Sequence, residues 1–187
     1  MGNTSLLKYE IILSWLALFL YVGAAVCFIQ GIIFKKEKSL HAGTLIIMAG
    51  LLPHTLALLL RWSYVYHGPY LSKYEVLSSN AWITLVMFLF FSRKYPKILF
   101  TGMLVAPFSF FQLGVALFAN TAIKRFPASF KIPWLVAHVF FNKLAVGAFL
   151  IAVALMIIYA LRSRGSAMPS LARLPDNEVL DEYIYKF

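Results

Sequence analysis

Five long apolar runs constrain the fold of this chain more than any other feature. A helix needs roughly 20 apolar residues to cross the hydrocarbon core of a bilayer. None of the five runs alternates apolar with polar residues, so they predict membrane helices and not the strands of a barrel. The predicted spans cover about residues 11–34, 42–64, 76–92, 98–119 and 133–161.

Composition supports this prediction and argues against a soluble domain. Hydrophobic residues make up 61% of the 187 residues and charged residues only 13%, whereas soluble domains carry about 25% charged residues. The excess apolar surface must therefore face lipid. We predict an all-α, polytopic membrane helix bundle of about five transmembrane helices over residues 1–164, followed by a short cytoplasmic tail over 165–187.

Basic residues predict the orientation of the bundle. The net charge is +10, and Lys and Arg concentrate in the segments between the spans, which indicates topology and not nucleic-acid binding. Ten of them fall on the side of the first loop, the third loop and the tail, against six on the other side. This bias predicts an external N-terminus and a cytoplasmic C-terminus. The ten are Lys35, Lys36, Lys38, Arg93, Lys94, Lys97, Arg162, Arg164, Arg173 and Lys186.

The two predicted external loops, about 63–75 and 120–132, are aromatic and basic. Their side would also hold Glu10 and Glu75, which we expect to be external carboxylates with no acid partner. The second loop, with Lys124, Arg125 and Lys131, suits a short helix on the membrane surface, interrupted by a proline. A belt of tyrosines at the membrane surface is expected at Tyr64, Tyr66, Tyr70 and Tyr74.

Polar side chains within or beside the spans are the candidate functional residues, because ionisable groups are costly in a bilayer. His54 and Arg61 share a face of the second helix, and His138 follows Trp134 at the start of the fifth. Neutral imidazoles can ligate haem iron, cations can bind the propionates, and four phenylalanines of the fourth helix could pack on a porphyrin. These are Phe108, Phe110, Phe111 and Phe118.

The structural interpretation of the same residues stays open. A membrane histidine such as His54 or His138 can simply hydrogen-bond a neighbouring helix. His67 lies in a loop and can be solvated, and Lys143 can extend to the interface or pair with an acceptor. No hydrolase, kinase or thiol-redox motif occurs in the chain.

Three segments together resemble a known family over about residues 40–187. They are HTLALLLRW at 54–62 with HGPYLSKYE at 67–75 and NAW at 80–82, then WLVAH at 134–138, and LPDNEVLD at 174–181. In order and spacing they resemble the N-terminal half of cytochrome c assembly proteins of the CcsA/ResC type, and the related HemX proteins share this pattern.

The resemblance implies a role in haem handling. It implies that His138 is the first external haem-ligating histidine, with His54, Trp134, Arg61 and His67 as further candidate contacts. The tryptophan-rich external segment and the later histidines of the family are absent from this sequence. The expected function is therefore half of a haem site, completed by a partner membrane protein and serving apocytochrome c indirectly, in a bacterial inner membrane.

Two other hypotheses remain. One is a structural or regulatory membrane protein of the HemX kind without haem, and the weakest is a small transporter, for which the sequence offers no obvious inverted repeat. We expect no catalysis by the chain alone, since thioether formation would belong to an assembled complex.

Overall fold

The computed structural model describes residues 2–121, 133–163 and 176–186. These residues form helices and connecting turns, with no strand in the ranges described. In chain order the helices are α1 (Gly2–Ile33), α2 (Glu37–Val65), α3 (Lys73–Lys94), a short 3-10 helix (Pro96–Thr101), α4 (Gly102–Phe118), α5 (Pro133–Ser163) and α6 (Asn177–Ile184).

Five of these segments are long and apolar enough to cross a membrane, which confirms the predicted fold class. The spans are Ser5–Ile33, Glu37–Val65, Lys73–Lys94, Pro96–Phe118 and Pro133–Ser163. The fourth span includes the 3-10 helix before α4, and α1 begins earlier than predicted. The chain is an integral membrane protein with a helical core.

α4 packs against both α1 and α3, so these three helices form the centre of the bundle. α1 packs along α2 and α4, while α3 packs on α4 and α5. Phe28 of α1 and Phe88 of α3 meet edge to face with ring centroids 5.6 Å apart, and both are fully buried. Glycines allow α2 and α4 to pack closely on the Phe28 ring: a Cβ on Gly43 or Gly102 would come within 2.9 Å of it. Small residues commonly allow membrane helices to pack this closely.

The bundle has two ends, the Arg61 end and the Arg93 end. Helices α1, α3 and α5 begin at the Arg61 end, and α2 and α4 terminate there. The Arg93 end holds the opposite termini. Large apolar side chains such as Phe19 and Leu52, which are 64% and 69% exposed, line the outside of the bundle, as expected for helices surrounded by lipid.

α6 lies at the Arg93 end. Its Leu180 is fully buried, the helix packs against α5, and Tyr183 stacks obliquely on Tyr95 at 5.5 Å between centroids. An ion pair between Arg162 and Asp176, with 2.7 Å between nitrogen and oxygen, joins it to the end of α5. The amphipathic end of the tail therefore packs on the bundle, while Leu174 and Pro175 of the LPDNEVLD segment lie outside the described residues.

Candidate functional site

A buried ionic cluster occupies the Arg61 end. Arg61 of α2 donates from Nε to Oε1 of Glu75 at 3.0 Å and approaches Oε2 of Glu10 at 3.9 Å. All three side chains are at most 1% exposed. The cluster joins α1, α2 and α3. Glu10 and Glu75, which we expected to be external carboxylates, are thus buried around a shared arginine. The charge on Arg61 makes their burial possible.

Glu75 connects the cluster to the start of α3. Its Oε2 accepts from the backbone N–H groups of Leu71 and Ser72, at 3.0 and 3.2 Å. The Ser72 hydroxyl accepts in return from the Glu75 N–H at 3.2 Å. This reciprocal arrangement is a capping box. The spacing of Ser72 and Glu75 is the sequence signal for this box, and our sequence analysis missed it.

Tyrosines surround Glu10 and Arg61. Tyr64 donates its hydroxyl to Glu10, and its ring lies 5.6 Å from the guanidinium of Arg61. Tyr74 lies 5.3 Å from the same guanidinium and shares a hydrogen bond with Ser14 at 3.1 Å. Two members of the predicted interfacial belt are thus buried in the cluster, because their hydroxyls serve a carboxylate and a serine there. Tyr66 is 89% exposed.

His54 lies deeper in the bundle than Arg61, on the same face of α2. Its Nδ1 lies 3.0 Å from the Tyr21 hydroxyl of α1, and its Nε2 lies 3.0 Å from the Ser78 hydroxyl of α3. The ring is fully buried. One ring nitrogen donates and the other accepts in either neutral tautomer. Both nitrogens are therefore occupied by contacts between helices, so iron ligation by His54 would require breaking one of them.

His67 lies in the α2–α3 connection beside the cluster. It is only 8% exposed, and its Nδ1 donates to the Gly68 carbonyl oxygen at 2.8 Å. The same nitrogen lies 3.9 Å from Oε2 of Glu75. The expectation of a solvated loop histidine is therefore wrong, because the connection folds back over the start of α3.

His138 and Trp134 lie on α5 in a different environment. Trp134 is 78% exposed and His138 is also exposed. No residue of α5 from 133 to 146 is buried, whereas the second half buries Gly147, Ile151 and further residues against the bundle. The first half of α5 therefore extends along the bundle with little contact to it.

Lys143 makes the polar link between this open half of α5 and the bundle. Its ammonium donates to the Ser79 hydroxyl at 2.5 Å and to the Asn80 side-chain oxygen at 3.1 Å, both on α3. Of the two interpretations of Lys143, the structure favours pairing with an acceptor.

The four phenylalanines of the predicted porphyrin wall on α4 lie in two different environments. Three of its phenylalanines point outward: Phe108 is 42% exposed, Phe111 64% and Phe118 84%. Phe110 instead packs on the hydrophobic core. The loop cations Lys124, Arg125 and Lys131 fall outside the described residues, as does the predicted surface helix.

The structure brings Arg61 and His67 to one cluster and leaves His54 and His138 in separate surroundings. Within residues 2–121, 133–163 and 176–186, no group of three or more His, Cys, Asp or Glu side chains is arranged to hold a metal ion. Comparison with family models, with curated proteins and with solved structures finds no match for this chain.

Proposed function

We propose that this chain is a membrane haem-handling component of cytochrome c biogenesis that contributes half of a site to an assembly with a partner membrane protein. The observation that carries the proposal is the open first half of α5, where His138 and Trp134 are exposed and no side chain is buried. The resemblance of the WLVAH segment to haem-handling proteins agrees with this placement.

Among the candidate ligands, His138 is the one whose exposure best suits haem as a bound cargo. An exposed imidazole can offer a nitrogen lone pair to iron as one axial ligand. His54 has both nitrogens occupied, and Arg61 is held by Glu75, so neither is available to iron or to a propionate. The second axial ligand and the propionate contacts would then come from the partner chain.

Charge supports an orientation for this assembly. The Arg93 end carries the larger share of loop Lys and Arg, which favours its placement in the cytoplasm. His138 would then lie near the outer face of a bacterial inner membrane, where haem is presented to apocytochrome c.

A spectroscopic titration tests the proposal. The chain is purified in detergent, titrated with haem and followed by its absorbance, alone and after co-expression with a candidate companion. His138→Ala should abolish the Soret shift of the bound haem. His41→Ala is the matched control, because His41 is also exposed but lies at the start of α2. Equal loss in both variants, or an intact band in His138→Ala, would refute ligation by His138.

Site-directed photocrosslinking tests the partner separately. A photoreactive residue at Phe141, which is 66% exposed on the open half of α5, should form one discrete adduct that retains haem. The same group at Leu45, 64% exposed on α2, should label only lipid. Equal labelling patterns from the two positions would argue that the open half of α5 simply faces lipid.

A second candidate function is a structural or regulatory protein of the HemX kind without haem. The observation that favours it is that His54 and Arg61 both bond to neighbouring helices. Absence of any Soret shift in the wild type, with and without a companion, would favour this candidate.

A further inference from the structure

A groove separates α2 from α3 on the outside of the bundle, towards the Arg93 end. Its volume is about 620 Å³, which lies within the roughly 300–1,000 Å³ typical of small-molecule sites. Its apolar lining comes from two helices: Met48, Leu51, Val86, Leu89 and Phe90. These side chains are partly or largely exposed, so the groove is open to the surrounding lipid.

Hydrogen bonds join α2 and α3 from the Arg61 end to the middle of the two helices. Arg61 and Glu75 join them near the connection, and the Trp82 indole N–H donates to the Thr55 hydroxyl at 2.9 Å near the middle. Over their whole length the two helices make few close contacts. Their next polar link is Arg93, whose Nη2 lies 3.6 Å from the Met48 sulfur.

Two cations lie at the end of the groove. Arg93 and Lys94 both line it and both are exposed. Neither forms an ion pair with any described carboxylate; besides the Met48 sulfur, the Lys94 ammonium lies 5.5 Å from the Tyr95 ring. A further exposed cation, Lys97, follows on the 3-10 helix. Apolar walls that end in unpaired positive charge match an amphiphile with an anionic head.

We propose that this groove binds one anionic phospholipid. An acyl chain lies along the apolar walls between α2 and α3, and the phosphate contacts Arg93 and Lys94. Guanidinium groups bind phosphate through two parallel hydrogen bonds, and basic pockets between membrane helices are known to hold anionic head groups. The site is separate from His54 and His138. The proposal does not depend on which face of the membrane the Arg93 end occupies.

Cations at the end of α3 also complement the helix dipole, and that role needs no groove. The two roles differ in what they predict. A dipole role predicts no preference among lipids and no effect of filling the groove. A lipid site predicts a preference for anionic lipid and a loss of binding when the groove is filled.

Native mass spectrometry of the delipidated full chain tests the site with two lipids of identical acyl chains, phosphatidylglycerol and phosphatidylcholine. We expect one equivalent of phosphatidylglycerol to bind in clear preference. Arg93→Gln with Lys94→Gln should weaken its binding about 30-fold, from the attraction expected of each surface cation. Lys36→Gln with Lys38→Gln is the matched control, since it removes two exposed charges from the same end and should change binding less than threefold.

A groove-filling variant supplies the independent check. Val86→Trp occupies the apolar walls without changing charge and should reduce phosphatidylglycerol binding at least tenfold. Melting curves in neutral detergent verify that each variant is folded, which is expected because Arg93 and Lys94 are exposed. Equal binding of the two lipids, equal loss in the control pair, or displacement by soluble glycerophosphoglycerol at low millimolar concentration would each overturn the proposal.

Discussion

Removing the charge of Arg61 should be the most damaging single change at the Arg61 end. Arg61→Met deletes the hydrogen bond to Glu75, the ion pair with Glu10 and a bond of 2.9 Å from Nη1 to the Thr121 carbonyl oxygen. It leaves both buried carboxylates without their ion pairs to Arg61. Because Arg61, Glu10 and Glu75 are each at most 1% exposed, solvent cannot replace the lost partner.

The expected cost follows from this burial. Breaking a buried ion pair by removing one partner costs about 3–5 kcal/mol, mostly through the charge left behind. The exposed pair Arg162–Asp176 offers a contrast, since its side chains are 24% and 83% exposed. Such a pair contributes only about 0–1 kcal/mol. Arg162→Gln is therefore the matched control for loss of an arginine in an ion pair.

Equilibrium unfolding in mixed micelles, followed by tryptophan fluorescence, measures both variants. Arg61→Met should lower the free energy of unfolding by about 3–5 kcal/mol and Arg162→Gln by no more than about 1 kcal/mol. Adding Glu10→Gln and Glu75→Gln to Arg61→Met should recover at least half of the loss, because no buried charge then lacks a partner. Equal destabilisation by the two single variants, or no recovery in the triple variant, would refute the reasoning.

Three further changes test the packing. Gly102→Ala should cost about 1–3 kcal/mol, because its Cβ would lie 2.6 Å from the buried Phe28 ring; Gly114→Ala on the same helix, with 3.8 Å of space, should be neutral or stabilising in the same unfolding assay. Lys143→Met should increase hydrogen exchange in the first half of α5, since it removes the ammonium that bonds to α3; unchanged exchange would show that the bonds contribute nothing. Leu180→Asp should free α6 and expose residues 176–186 to protease while the five spans stay intact, and equal protection would contradict its anchoring role.

The sequence alone determined the membrane architecture. A bilayer offers no partner for backbone N–H and C=O groups, so each span must be a helix of roughly 20 apolar residues. Such runs are visible without any knowledge of packing. The same logic singled out His54, Arg61 and Lys143, because polar side chains in these runs need partners.

Only the tertiary structure determined which side chains are the partners of these polar residues. The carboxylates of Glu10 and Glu75 come from α1 and α3, and only the convergence of three helices brings them to Arg61. The predicted first span begins at about residue 11, just after Glu10. α1 instead includes Glu10, because the ion pair with Arg61 allows this carboxylate to be buried in the bundle.

The surroundings of the histidines were also beyond sequence reasoning. His54 and His138 both lie on apolar helices, yet one is enclosed by α1 and α3 and the other is exposed. Both halves of α5 are apolar, so hydropathy cannot tell which half packs on the bundle. Contact with neighbouring helices depends on shape and small residues, and only the assembled bundle determines it.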